Sequence, residues 1–434
     1  MTIWVGLLAL DSWVSSARLA EALRASGLRI GAFCEAGSPL AATRHVDRLN
    51  AIDETGLRAA LEQFCAEHRP VAVVPCDERA VRALHELFAD NSTSTELRQT
   101  IRRSLGDPQG YAVATSKWST HALATRLGLR VPAQRQIASI DEALAFASAC
   151  GYPVILKREG TYGGAGCRVC RSEGDILSGY RGLLASGRLQ KLKGRAQAWM
   201  GWLRDSSERS SEPLIIQRFH EGQTAFSAAV ARDGVMLKGL ATTAERVHPQ
   251  PTGASTVVRL RETPDLVEIT AALVRELGYS GFIGVDFIID HASGLAYLLE
   301  INPRVTPLAP LGRRLGGDLC AAFAASFAGT TVPPTPRQTT IAALFPNEWL
   351  RDPESPYLTT TYHDVPHHDP ELMAWIYSHL PATRRFMLRW GILPCAGLDR
   401  AARRGGGLAS ATEHPLEPVE ITGVAKQDFG HEPG

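Results

Sequence analysis

The stretch GFIGVDFIIDHASGLAYLLEINPR, residues 281–304, constrains the fold more than any other part of the chain. Two apolar, β-rich runs flank DHASG, the pattern of an antiparallel hairpin. Strands this apolar are buried, and a buried carboxylate without a partner is costly. Yet Asp286 sits mid-strand and Glu300 directly follows YLL. Glu300 and Asn302 stand two apart and so share a face. Two carboxylates and an amide oxygen form an all-oxygen set suited to Mg2+. Arg304, two residues further, is placed for a phosphoryl group. The set carries a register condition. A five-residue loop at 291–295 puts Asp286 opposite Glu300. A four-residue loop pairs Asp286 with Leu299 and sends the acids to opposite faces, unless a bulge intervenes. The competing reading of Glu300 is a strand-end salt bridge to an arginine.

A second stretch, KREGTYGGAGC at 157–167, puts Lys157 ahead of Gly160, Gly163, Gly164 and Gly166. It has neither the GK[ST] ending of a P-loop nor a GxGxxG opening a helix. With VILK before it and CRV after, it reads as strand, loop, strand. Lys157 can then project towards a ligand while its neighbours face the core. Glycine N–H groups can lie over phosphates, and such a hairpin can close as a lid. A flexible hairpin without a ligand is the alternative. Of the 46 basic residues only six are lysines, which singles out Lys117 and Lys157 as places where a compact ammonium matters.

Residues 1 to about 112 alternate strand and helix patterns. TIWVGLLAL precedes SSARLAEALRAS, LRIGAFC follows, ETGLRAALEQFCAEH has helical periodicity, and PVAVVPC runs into DERAVRALHEL. This order predicts a small parallel α/β unit, Rossmann-like in layout. Its first turn, ALDSWVSS, has no glycine fingerprint, which argues against a nicotinamide cofactor. From TSKWSTHALATRLGLRVP onward the pattern becomes α+β, with antiparallel strand pairs, and a second module is expected over 113–329. Within it a lid part (about 113–212) precedes a part carrying the hinge and hairpin (about 213–329). TVPPTPRQ reads as a linker, 338–405 as a small C-terminal domain and 406–434 as a polar tail.

A net charge of +1 offers no field for nucleic acid or an acidic membrane, and no apolar run is long enough to span one. MTIWVGLLAL lacks a basic n-region and reads as a buried strand. Cys167 and Cys170 would face opposite sides of a strand, so they read as buried thiols in a reducing cytoplasm rather than a metal site.

In this order and spacing the motifs resemble the ATP-grasp superfamily, whose members include carbamoyl-phosphate synthetase, biotin carboxylase and D-alanine–D-alanine ligase. The resemblance covers residues 1 to about 329, including the α/β domain that precedes the ATP-grasp fold. It implies that Lys117, Lys157, Gly160, Thr161, Gly163, Gly164 and Gly166 cradle the phosphates of ATP. It implies a metal site at Asp286, Glu300 and Asn302, taking two Mg2+ with Mn2+ able to substitute. LIIQRFHEG falls at the adenine hinge, so Gln217, Arg218, Phe219, His220 and Glu221 would line the nucleotide. Gln217 stands where the family usually has glutamate, and QTAF after Gly222 lacks the usual acid, a role Glu221 could fill. TTAERVHPQPTGASTVVRL lies towards the acceptor, where Arg246, His248, Ser255 and Thr256 could meet a carboxylate or amine; a solvated turn is the equal alternative.

The activity implied is an ADP-forming carboxylate–amine ligase, with Lys157 and Arg304 at the transferred phosphoryl group. The expected partners are a small carboxylate and an amine such as an amino acid, with a homodimer left open. Carboxyphosphate or carbamate formation is one rival, and a nucleotide-binding protein without ligation another. The basic stretch 178–204 reads as a helix on its own lid, and YHDVPHHDPEL as a polar loop rather than a metal cluster.

Overall fold

The apolar runs of the first hundred residues build a parallel sheet from β1 (Trp4–Leu8), β2 (Arg29–Cys34), β3 (Arg48–Ala51) and β4 (Val73–Pro75). Its order is β3-β2-β1-β4, so the winding direction reverses between β1 and β4. In such sheets the crevice at the carboxyl ends of the two strands that flank the reversal is where ligands gather. One side chain ties both loops there. The Asp77 carboxylate accepts from the N–H groups of Leu10 at 2.7 Å, Asp11 at 3.0 Å and Ala80 at 2.8 Å, the last as N-cap of helix Glu78–Ala89. The computed structural model describes residues 2–52, 56–159, 166–184, 214–250, 253–332, 334–382 and 384–385.

The second sheet is antiparallel, with β5 (Gln134–Ile137), β6 (Val154–Lys157), β7 (Cys167–Cys170) and β8 (Leu214–Arg218) in the order β5-β8-β6-β7. The third holds β9 (Gly222–Arg232), β10 (Val235–His248), β11 (Ala254–Arg261), β12 (Gly281–Asp290), β13 (Ala296–Asn302), β14 (Ile341–Ala343) and β15 (Tyr362–His363). Their order is β13-β12-β9-β10-β11-β14-β15. The segment set off at 338 therefore shares its sheet with the preceding module. The parallel α/β unit and the α+β architecture expected after it are both present.

One apolar core runs through the first and third sheets. Leu19 and Leu23 of helix Val14–Ala25 belong to the same buried cluster as Leu308, Leu311 and Leu315 of helix Leu308–Leu315, Phe323 of helix Leu319–Ala328, and Val230, Leu240 and Phe282. Each such side chain, fully buried, contributes roughly 1.5–3 kcal/mol. Among the described residues no helix is long and apolar enough to cross a membrane.

Candidate functional site

The hairpin of β12 and β13 meets its register condition through a bulge. Near the turn the ladder is that of the four-residue loop: Ile289 faces Ala296, Phe287 faces Leu298, and the Asp290 N–H donates to the Leu295 carbonyl at 3.0 Å. Continued unbroken, it would pair Asp286 with Leu299. Instead the register shifts between Phe287 and Asp286, Leu299 is the extra residue, and Asp286 faces Glu300 with Gly284 facing Asn302. The three predicted metal-site residues thus come together on one face. Asn302 Nδ2 donates to Asp286 Oδ1 at 3.2 Å. The backbone is tight here: a Cβ on Gly284 would stand 2.4 Å from Thr306 Cγ2.

Two lysines from other elements reach this face. Lys117 opens helix Lys117–Arg126, and its Nζ lies 2.9 Å from Glu300 Oε2, so the partner of Glu300 is a lysine and not an arginine. Lys157 ends β6, paired with Cys167 of β7 and Ile215 of β8; it is buried, and its ammonium has no hydrogen bond or ion pair among the described residues. Burial pushes Lys157 below the usual ammonium range, against the pull of Cys167, Glu300 and Asp286 and with the repulsion of Lys117. Burial also acts against the charge on Glu300, but Lys117, Lys157 and Arg304 together outweigh it and hold that carboxylate below its usual range. Asp286 is pushed well upward, by burial first and then by Glu300 beside it. Its proton is held where a cation would relieve the same repulsion, so the donor set fits a hard divalent ion.

A lysine at the first position of a helix opposes the helix dipole. Glu159 offsets this. Its carboxylate accepts from the N–H groups of Lys117 at 3.0 Å and Trp118 at 2.8 Å, and Ser116 caps the same helix through the Ser119 N–H. Caps of this kind are worth roughly 0.5–2 kcal/mol. The base of the glycine loop is thereby tied to the lysine helix. One turn after Lys117, the buried His121 hydrogen-bonds through Nε2 to the Leu299 carbonyl at 2.8 Å.

Arg304, expected to be open to a phosphoryl group, is enclosed. Its Nη2 pairs with Glu78 Oε1 at 2.5 Å and donates to Asn302 Oδ1 at 3.3 Å, Nη1 donates to the Val305 carbonyl at 3.0 Å, and Cζ lies 4.5 Å from the centre of the Trp13 ring. Glu78 and Trp13 follow β4 and β1, so the crevice of the parallel sheet holds the arginine that steadies Asn302. Sequence reasoning missed Glu78, Trp13, Glu159 and His121.

The hinge residues fall where β8 leaves its sheet. Gln217 is buried, with its side-chain amide on Gln134 at 3.2 Å. The Arg218 and Phe219 N–H groups are used by the Ala133 and Pro153 carbonyls, whereas the His220 N–H makes no hydrogen bond among the described residues. His220 stacks on Tyr297 and lies 3.2 Å from Asp290 through Nδ1, and Glu221 is exposed.

The acceptor set divides. Thr256 is a correction: it is buried and donates to Glu348 Oε2 at 2.6 Å, inside a network with Arg351 and Ser355, so its hydroxyl is committed to the fold. Arg246 lies over the Tyr357 ring at 5.7 Å, His248 is exposed at the end of β10, and the Ser255 hydroxyl is buried without a partner among the described residues. Gly166 accepts from the Arg158 N–H at 3.1 Å; Gly160, Thr161, Gly163 and Gly164, most of the basic stretch 178–204, and the tail 406–434 lie outside the described residues.

Residues 117–187 match the family model of the carbamoyl-phosphate synthase L chain, ATP binding domain, and residues 195–307 that of the ATP-grasp domain. The carbamoyl phosphate synthase large chain of Thermus thermophilus is 28% identical over 213 residues, 47% of this chain and 18% of that one. The chain thus spans less than a fifth of that relative's length. Among solved structures, the biotin carboxylase domain of 2-oxoglutarate carboxylase from Hydrogenobacter thermophilus superposes with a TM-score of 0.56 at 17% identity, covering 77% of this chain and 72% of that one. N5-carboxyaminoimidazole synthetase from Staphylococcus aureus gives 0.54 at 12% identity, covering 78% and 81%. The lysine helix at 117 and the hairpin at 281–302 lie within the stretches that match these two models, so this chain carries regions similar to the carbamoyl-phosphate synthase ATP binding domain and to the ATP-grasp domain.

Proposed function

We propose that the chain is an ATP-dependent, ADP-forming ligase that activates a small carboxylate as an acyl phosphate and couples it to an amine, such as that of an amino acid. The observation that carries this reading is the meeting of Asp286, Glu300 and Asn302 with Lys117 and Lys157 on one face. The cluster sets two lysine side chains against the Glu300 carboxylate, an arrangement suited to a polyphosphate. The Hydrogenobacter neighbour is in complex with MgADP and bicarbonate, and the Staphylococcus neighbour with ADP, which supports a nucleotide as a ligand of this fold.

Lys117 and Lys157 would hold the phosphates, with the glycine loop 160–166 over them, and the free His220 N–H would take an edge of the adenine. Asp286, Glu300 and Asn302 would hold Mg2+, which supplies charge neutralisation at the phosphates. The bond from the γ-phosphorus to its bridging oxygen breaks as a carboxylate oxygen attacks, and ADP leaves. The amine nitrogen then attacks the acyl carbon, loses a proton and releases phosphate. Phosphoryl transfer of this kind depends on positioning and charge rather than on a protein nucleophile. Arg304 acts through Asn302, which it holds, and Glu78 and Trp13 fix Arg304. Arg246, His248 and the Ser255 hydroxyl are the candidates to meet the acceptor.

ADP release that requires both a carboxylate and an amine supports this reading. Hydroxylamine should trap a hydroxamate from each productive acid, and productive acids that never yield one would refute the acyl phosphate. The match of 117–187 to the carbamoyl-phosphate synthase model favours a second reading, in which bicarbonate is the acid and carboxyphosphate the intermediate. ADP release with bicarbonate as the sole acid would select it.

A further inference from the structure

The hairpin's metal face exists only because of the bulge at Leu299, and that bulge has a holder. β13 is the edge strand of its sheet, so on its outer side no neighbouring strand fixes the register. That side is bound by the lysine helix and the segment after it. The Leu298 N–H donates to the Arg130 carbonyl at 2.9 Å, Arg130 Nε to the Ala296 carbonyl at 3.2 Å, and His121 Nε2 bonds the Leu299 carbonyl at 2.8 Å. Lys117 and His121 are one helical turn apart and so share a face. One turn of helix therefore grips two successive residues of β13: Lys117 takes the side chain of Glu300 and His121 the backbone of Leu299.

The chemistry of His121 suits this task. Its bond to a carbonyl requires the proton on Nε2, and Nδ1 is buried with no hydrogen-bond partner among the described residues. Burial first, and then the repulsion of Lys157 and Lys117, pushes the ring down to about 4 against the pull of the Leu299 carbonyl and Glu300, so the imidazole is neutral and does not compete with the lysines for Glu300. Bulges beside functional sites re-aim side chains. Here the re-aimed side chain is Glu300.

We propose that His121 is a positioning residue for metal binding: by holding the extra residue Leu299 out of the ladder, it keeps Glu300 in register with Asp286. The inference rests on the reading of Asp286, Glu300 and Asn302 as a metal site. Without the His121 bond the ladder can continue in the register of the turn, which turns Glu300 away from Asp286.

The test uses the full chain with Mn2+ as probe, titrated by electron paramagnetic resonance in the presence of ADP. His121→Leu should weaken Mn2+ binding at least tenfold and speed amide exchange over 298–301, with ADP affinity in the absence of metal changed by less than twofold. His121→Gln places an amide N–H near the position of Nε2 and should restore Mn2+ binding to within about threefold of wild type. Normal Mn2+ binding by His121→Leu overturns the proposal, as does equal impairment of the Gln and Leu variants, which would mark a packing role only. Glu300→Gln separates the two levels. If it binds Mn2+ as tightly as wild type, the metal assignment itself falls. If it loses Mn2+ while His121→Leu keeps it, the assignment stands and the positioning role is refuted.

Discussion

Replacing Lys157 by methionine should make the protein more stable without nucleotide and less stable with it. The residue is 9% exposed, its ammonium has no hydrogen bond or ion pair among the described residues, and burial pushes it below the usual ammonium range. Exchanging buried charged groups for apolar ones of similar volume often stabilises by about 1–4 kcal/mol. The nearby Glu300, Asp286 and Cys167 offset part of the cost of this charge, which places the expected gain at the lower end, about 1–2 kcal/mol. A ligand at a hundred times its Kd stabilises by about 2.7 kcal/mol, and the variant should forfeit most of that because it lacks the phosphate-facing charge. The two unfolding curves should therefore change order. In urea without nucleotide the variant's midpoint lies higher; with saturating MgATP the wild type overtakes it. A variant less stable without nucleotide would show that Lys157 serves the fold. An undiminished MgATP shift would show that it does not meet the phosphates, and either result refutes the reasoning.

Asn302→Ala should reduce substrate-dependent ADP release by at least about a hundredfold (roughly 2.7 kcal/mol of transition-state stabilisation) with an unchanged circular dichroism spectrum, and full activity would sink the metal assignment. Thr256→Val should cost about 1–3 kcal/mol in urea unfolding, because it strips a hydrogen bond from the buried Glu348, while KM for either substrate stays within twofold. Asp77 is pushed up to about 6, by burial first and then by Asp11. The folded chain thus holds this proton more tightly than the unfolded chain. Its contribution, on the order of 2–3 kcal/mol, is fully present below about pH 4 and lost as pH rises through 6. Comparing wild type with Asp77→Asn by urea unfolding at pH 4 and pH 7 isolates it: the loss between the two should shrink by about that amount in the variant, and an identical loss in both would contradict it.

The hairpin was legible because burial and charge conflict inside it: Asp286 and Glu300 in apolar strands demand an explanation that few folds provide. Lys117 and Lys157 stood out through scarcity of their type and through their local patterns. The register was legible only as a condition, since turn length and alternation describe the hairpin alone, and the deciding bulge is bonded to His121, 178 residues earlier. Glu78 and Trp13 were hidden for the same reason, since their partner Arg304 lies more than two hundred residues away. Thr256 was misread because an alternating strand shows which residues share a face but not what covers that face. What covers it is Glu348, from a segment with no recognisable motif.

The core that joins helix Val14–Ala25 to helices Leu308–Leu315 and Leu319–Ala328 bears on how this machine can be taken apart. The stretches that match family models stop at 307, one residue short of the first of those helices. A chimera assembled from the matched stretches alone would bare the underside of the third sheet and cut Arg304 off from both Glu78 and Trp13. Specificity swaps in this chain should therefore exchange loops within the frame of residues 2–328 and leave its boundaries whole.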